Sequence, residues 1–308
     1  MTLLALILAL VVEQIRPLQR RPAVDDALAR LCARAVQAYD DQSAANGRVA
    51  WLLVVGLGGA AAFAANRLLA AVHPVLAFVF DTAVLYVLLG FRRDEGLFTD
   101  IQRALADEEP DVAVQRVRDW TGRDPAGAAP GQLARMATEH ALLTAHRGIY
   151  GVLFWFVILP GPLGAVVYRL AWQFRAACLA RPDAAESAFG RFASAAWEVL
   201  DAVPARLTAA AFAVIGNFED ALYCWRTQAG LWAERSAGIV LAAAAGALGV
   251  RLGMPMYCDG AVLDRPELGL GAAVDVDQMA RVARLIWRVL VLYVLVVALL
   301  TIAGWVAR

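Results

Sequence analysis

Between Gly148 and Phe174 the chain runs GIYGVLFWFVILPGPLGAVVYRLAWQF, a long apolar stretch interrupted at its middle by Pro160-Gly161-Pro162. Prolines lack an N–H and glycine adds backbone freedom, so one straight helix through this point is excluded. In lipid, the backbone groups freed by such a break must be satisfied by protein or by a wet cavity. A broken membrane helix therefore predicts either a binding site or a kinked, hairpin-like anchor.

Composition makes lipid the relevant solvent. With 61% hydrophobic and 18% charged residues in 308, the sequence is too apolar for an ordinary soluble chain and reads as an integral membrane protein. Formal net charge is zero, which removes the electrostatic signature of nucleic-acid binding. All 28 basic residues are arginine, so Schiff-base and P-loop lysine chemistry is excluded. Cys32, Cys178, Cys224 and Cys258 form no CxxC pair, which argues against a zinc site or a disulfide framework.

The expected spans follow in chain order. Met1 to Val12 is a short apolar run without a signal peptide's basic start or cleavage site and is expected to be a retained first membrane helix. Arg16-Pro17 and Arg20-Arg21-Pro22 form a basic stop, and Val24 to Gln42 has the spacing of an amphipathic surface helix. Val49 to Val72 and Pro74 to Phe91 are separated only by His73-Pro74, which predicts a tight helical hairpin whose Gly56, Gly58 and Gly59 allow close packing. Arg67 and Asp81 within it point to a functional site, because charge at membrane depth is expensive alone; the structural alternatives are an Arg67–Asp81 pair or snorkelling near the turn.

Residues 92–147 are the longest polar segment, expected to form a helical cap within a single domain spanning 1–308. Its arginines place it on the cytoplasmic side by the positive-inside rule, together with the other main polar loops. Beyond the broken stretch, Leu207 to Ile215 and Gly238 to Val250 are too short to span and predict re-entrant or half helices. Val289 to Val306 is a full terminal span. The predicted fold class is an all-α polytopic membrane protein with about four full spans, half helices and cytoplasmic amphipathic helices.

Several positions carry candidate chemistry. In GALGVRLGMP, Gly246, Gly249 and Gly253 with Arg251 would let backbone N–H groups and a guanidinium approach an anionic small molecule such as phosphate; a Gly-rich packing seam is the alternative. Arg206, beside a short apolar segment, is a cation in need of a partner. Glu219 and Asp220 could hold a cation or simply start a helix. Glu139 could orient His140 or hold magnesium through water. His140 and His146 lack the i, i+4 spacing of a metal pair, and Asp275 and Asp277 suit a helix N-terminus.

VPARL at Val203 to Leu207, GALGVRLGMP, and LDRPELGLGAAVDVDQMARVARLIWR occur in an order that resembles the CobD/CbiB family over nearly the whole chain. That family comprises the membrane-bound adenosylcobinamide-phosphate synthases of cobalamin biosynthesis. The resemblance implies a bacterial inner-membrane location and formation of an amide between adenosylcobyric acid, a corrinoid, and aminopropanol or its phosphate, with ATP and magnesium as cofactors. In the matching regions it leaves Glu139, Glu198, Arg206, Arg251 and the Asp275/Asp277 pair to carry the chemistry, with catalytic roles at Glu139 and Glu198; substrate binding is expected of Arg206, Arg251, Gly249, Gly253 and Arg169, and metal binding of the Glu219 and Asp220 carboxylate pair.

The chain departs from the family where acidic runs flank the broken stretch. It has Leu143-Thr144-Ala145-His146-Arg147-Gly148 before the stretch, and Tyr168-Arg169-Leu170-Ala171-Trp172-Gln173-Phe174-Arg175 within and after its end. LDAVPARLTAAAFAVIGNFEDALYCW and FWFVILPGPLGAVVYRLAWQF are similar to the AmpE inner-membrane proteins, which implies as an alternative a non-catalytic sensor linked to β-lactamase induction. Oligomeric state is left open by the sequence, and membrane lipid is the one partner expected under either resemblance.

Overall fold

The computed structural model describes residues 2–16 and 21–306. Helices dominate: α1 (Thr2–Ile15), α2 (Arg21–Tyr39), α3 (Ala44–Trp51), α4 (Leu57–Val72), α5 (Pro74–Leu88), α6 (Phe91–Ala106), α7 (Pro110–Thr121), α8 (Pro130–Ala145), α9 (Gly151–Ile158) and α10 (Leu163–Leu179). They are followed by α11 (Pro182–Glu186), α12 (Ala188–Ile215), α13 (Phe218–Gln228), α14 (Arg235–Leu248) and, after five short strands, α15 (Val276–Val306). By length and composition, 4 helical runs could cross a membrane: Ala44–Val72, Pro74–Ala106, Pro130–Ile158 and Val276–Val306. The chain is an all-α polytopic membrane protein.

The chain clusters into two compact units, one of Met1–Gly90, Arg147–Ala202 and Val297–Arg308, the other of Phe91–His146 and Val203–Val296. In the first, α1 packs on α5, and α10 packs on α2, α4 and α9. Ser43 caps α3, its side chain accepting from the Ala45 N–H. A π-helical turn, Leu52–Gly56, then carries the helix into α4. Side chains at Gly58 and Gly59 would collide with Leu170 and Val167 of α10, so the small residues set the helix spacing. His73 caps α5 by accepting from the Val75 N–H at 3.2 Å, and Pro74 takes the first helical position, where its missing N–H costs nothing.

The break at 160–162 is real: α9 ends at Ile158, α10 begins at Leu163, and Gly161 takes φ +61° between them. Gly161 stands against Asn66, and Gly164 stands against the Trp155 carbonyl where a Cβ would not fit. Backbone contact of this closeness folds α10 back onto α9.

The second unit holds α6, α7, α8, α13, α14, the strands and most of α15. Every residue of α14 from Ser236 to Leu248 is buried. This 14-residue helix is apolar and below spanning length, as its sequence predicts. β1 (Val250–Gly253) lies between β4 (Glu267–Gly269), antiparallel, and β5 (Ala272–Ala273), parallel. β2 (Met256–Cys258) and β3 (Ala261–Leu263) form a separate antiparallel pair.

Several expectations need correction. The first apolar helix has only 14 residues, short of a span. Of the basic stop, residues 17–20 lie outside the described residues. The polar segment 92–147 is helical as expected, but α8 runs on through a π-helical turn, His146–Tyr150, into the candidate span Pro130–Ile158. Leu207 to Ile215 is no separate half helix: it ends the 28-residue α12, which passes through Pro204. Asp81 accepts from Asn66 Nδ2 at 2.7 Å, and no ion pair with Arg67 is formed among the described residues. An amide one position away satisfies the carboxylate without a second buried charge.

Candidate functional site

The Gly-rich segment after α14 owes its course to left-handed backbone. Gly249, at φ +66°, ends α14, and its N–H bonds back to Ala245 and Gly246 carbonyls. The chain then reverses into β1. Gly253 at φ +72° and Met254 at φ +66° make a second left-handed corner at its end. A Cβ on Gly253 would run into the Pro266 carbonyl, so glycine is required there twice over.

Glu139 of α8 latches this corner. It is 6% exposed; its Oε1 accepts from the Gly253 N–H at 2.8 Å and its Oε2 from Arg265 Nη1 at 2.7 Å. Arg265 Nη2 also donates to the Gly253 carbonyl at 3.1 Å, so one guanidinium holds both the carboxylate and the loop. Arg135, one turn earlier on α8, donates to the Pro255 carbonyl at 3.3 Å and lies 3.3 Å from Met254 Sδ. The Arg265 guanidinium stands 5.4 Å from the Trp232 ring. Two guanidinium groups against one carboxylate leave the cluster net positive, and Arg135 Nε and Arg265 Nε are buried without a hydrogen-bond partner. With both oxygens engaged, Glu139 positions the loop and Arg265.

The other sequence candidates fall as follows. Gly249, Gly253 and Arg251 share the loop that Glu139 latches; Arg251 lies on β1 and pairs with Glu267 at 3.4 Å, both side chains well exposed. Glu219 and Asp220 occupy the exposed first turn of α13, where Asn217 accepts from the Asp220 N–H and donates to Asp220 Oδ2 at 2.7 Å. Arg206 is exposed on α12.

In the first unit, Arg169 is nearly buried and paired with Asp25 at 2.7 Å, and Glu198 is half-buried on α12. His140 packs edge-on against Trp120 with centroids 4.6 Å apart, and His146 Nδ1 lies 3.0 Å from Thr208 Oγ1. Asp275 caps α15 by accepting from the Gln278 N–H at 2.9 Å.

Magnesium does not find a ready cage. Among the described residues no group of three His, Cys, Asp or Glu side chains is placed to hold a metal ion, and Asp220 already serves Asn217. Magnesium that arrives with substrate phosphates takes only one or two carboxylates from the protein, and Glu219 beside Asp220 in the first turn of α13 is the carboxylate pair the sequence offers.

Arg265 and Arg135 were missed by sequence reasoning. Arg265 lies inside LDRPELGLG, and Arg135 precedes Glu139 by one helical turn, so the i, i+4 spacing was visible; that Arg135 and Glu139 reach Pro255 and Gly253, more than a hundred residues beyond them, to meet Arg265 was not.

The chain is thus a helical membrane protein whose Gly-rich loop is held by a buried carboxylate and two arginines. The chain belongs to the CobD/Cbib protein family, whose model matches residues 2–286. It is 35% identical over 238 residues to "Cobalamin biosynthesis protein CobD" of Stutzerimonas stutzeri, covering 75% of each chain. It is 34% identical over 221 residues to the protein of the same name from Chromobacterium violaceum, covering 70% of this chain and 68% of that one. With "Cobalamin biosynthesis protein CbiB" of Salmonella arizonae it shares 27% identity over 256 residues, 78% of this chain and 77% of the relative. No solved structure matches.

Proposed function

We propose that this protein acts in cobalamin biosynthesis by joining a side-chain carboxylate of adenosylcobyric acid to the amine of aminopropanol or its phosphate, with ATP as the activating co-substrate. What supports the reading is the family match from residue 2 to residue 286, which includes the latched Gly-rich loop. In such a reaction the carboxylate is first made a better electrophile by phosphoryl transfer. The amine nitrogen then attacks its carbon, the amide C–N bond forms, and phosphate leaves.

The chain's own contribution in this reading is binding and orientation. The Glu139–Arg265 pair fixes the Gly249 to Gly253 segment, and the net positive charge of Arg135, Glu139 and Arg265 favours an anionic substrate group beside it. The protein resides in the bacterial inner membrane with its main polar loops cytoplasmic, the side on which ATP is available.

The acidic runs missing around His146 and Tyr168 favour a second reading: an AmpE-like sensor that binds a ligand without chemistry. The two are separated by incubating the purified chain in lipid with adenosylcobyric acid, ATP, magnesium and aminopropanol phosphate, beside a relative with complete acidic motifs, and analysing products by mass spectrometry. Amide product establishes the synthase. An inactive chain beside an active control overturns it and leaves the sensor.

A further inference from the structure

The N-terminal part of α15 reads Met279-Ala280-Arg281-Val282-Ala283-Arg284-Leu285-Ile286-Trp287-Arg288. Arg281, Arg284 and Arg288 are spaced i, i+3 and i+7, which puts all of them on one helical stripe. Met279, Val282, Ile286 and Leu290 away from the stripe are buried in the protein, as are Leu285 and Val289 on its flank.

The stripe borders a cavity of about 300 Å³ lined by Ile215, Gly216, Ala247, Leu248 and Leu285 together with the arginines. That volume is at the low end of the roughly 300–1,000 Å³ typical of small-molecule sites. No carboxylate lines it. Asp277, one turn before Arg281, makes no ion pair with it among the described residues.

Packing alone does not account for this arrangement. The cavity wall includes the C-terminal ends of α12 and α14, whose carbonyls attract cations, and Arg281 uses this by donating to the Leu248 carbonyl at 2.9 Å. Each helix end carries about half a negative charge, so two ends leave roughly two of the three positive charges uncompensated. Arg284 and Arg288 bond to nothing among the described residues, and like charges at this spacing oppose the helix by a few tenths of a kcal/mol per pair. Val289 opens the apolar run VLVLYVLVVALL immediately after Arg288, so the stripe stands where a span leaves the hydrocarbon.

We propose that the Arg281–Arg284–Arg288 cavity is a binding site for a phosphoryl group. Guanidinium forks match phosphate oxygens bidentately, and Arg284 and Arg288 have their donors available. The phosphoryl group can belong to an anionic phospholipid headgroup entering from the membrane boundary or to a soluble phosphate arriving from water. The proposal is independent of corrinoid chemistry and stands if the synthase reading falls.

Two arms, both run on the full-length chain, distinguish the sources. Native mass spectrometry after equilibration with phosphatidylglycerol or phosphatidylcholine reads headgroup binding. Calorimetric titration with inorganic pyrophosphate in phosphatidylcholine nanodiscs reads soluble phosphate. The Arg284→Gln/Arg288→Gln variant is expected to lose about tenfold in affinity in whichever arm the natural chain binds, and Arg284→Lys/Arg288→Lys to recover part of it. Circular dichroism and thermal unfolding check that the variants are folded; since these side chains are exposed, they should be. Equal affinity of natural chain and Gln variant in both arms, or no binding by the natural chain in either, overturns the proposal.

Discussion

Glu139 ties two distant pieces of chain together through both of its carboxylate oxygens. Its partners are a backbone N–H and a guanidinium whose own side chain is 16% exposed, so its removal strands a buried positive charge. Breaking a buried pair from one side costs about 3–5 kcal/mol. Glu139→Ala is therefore expected to lower unfolding stability in micelles by that order. Glu139→Met/Arg265→Met should recover much of the loss, because neither charge is then left alone. If the double variant is as unstable as the sum of the singles, the two residues do not act as a pair.

At Gly253 an alanine meets both the left-handed backbone and the Pro266 carbonyl. It should cost more than the about 1 kcal/mol of a simple Gly-to-Ala strain. Outside the spans, Arg118 donates to Asp124 through both Nε and Nη2, and this hydrogen bonding holds the Asp124 carboxyl below its usual range. A lowered folded-state value means that the stabilisation is present above the unfolded carboxyl value, about 3.9, and is lost as pH falls through the folded one. The melting-temperature gap between the natural chain and Asp124→Asn should accordingly be open at pH 7 and close as the pH falls through the lowered folded-state value.

At the level of elements, the break at 160–162 does not depend on its prolines alone. Gly161 is left-handed and Gly164 lies against the Trp155 carbonyl, so Pro160→Ala/Pro162→Ala should leave α9 and α10 folded against each other. Spin labels at Phe154 and Val167 would report an unchanged separation; a lengthening to that of one continuous helix would show that the prolines make the break. Gly161→Ala, by contrast, should cost about 1–2 kcal/mol through its left-handed conformation.

This break, the His73-Pro74 hairpin and the buried half helix α14 were legible in the sequence because each rests on local chemistry: a missing N–H, a cap, an apolar run of given length. The partner of Asp81 was not legible, because Arg67 and Asn66 are adjacent in sequence and only the helix packing decides which faces it. The site divided in the same way. Gly249 and Gly253 stood out as glycines of one segment but not as left-handed corners, and Glu139's attachment to Gly253 joins positions 114 apart, which no periodicity encodes.

For the molecule as a whole, the side of the membrane each polar loop faces is open to direct measurement. All four cysteines are buried. Burial pushes the Cys32 thiol up to about 12 and raises Cys224 and Cys258 as well, so little reactive thiolate forms near neutral pH. The natural chain should therefore react slowly with a membrane-impermeant maleimide even in open membranes. Against that quiet background, Ala126→Cys, in the exposed loop between α7 and α8, should label only when the cytoplasmic face is accessible. Labelling of intact spheroplasts from the outer face of the inner membrane would reverse the proposed orientation.

Where α13 meets α14 the helices nearly touch backbone to backbone. Gly246 lies against the Asp220 carbonyl, Gly216 against Ala247, and the Asn217 N–H donates to the Ala247 carbonyl at 3.0 Å. Contact this close behaves like a dovetail joint: neither helix can slide or roll without driving main chain into main chain. One wall of the arginine cavity is thus mechanically stiff. The compliant parts are the Arg284 and Arg288 side chains, so an arriving phosphoryl group would be grasped by fingers closing on an anvil.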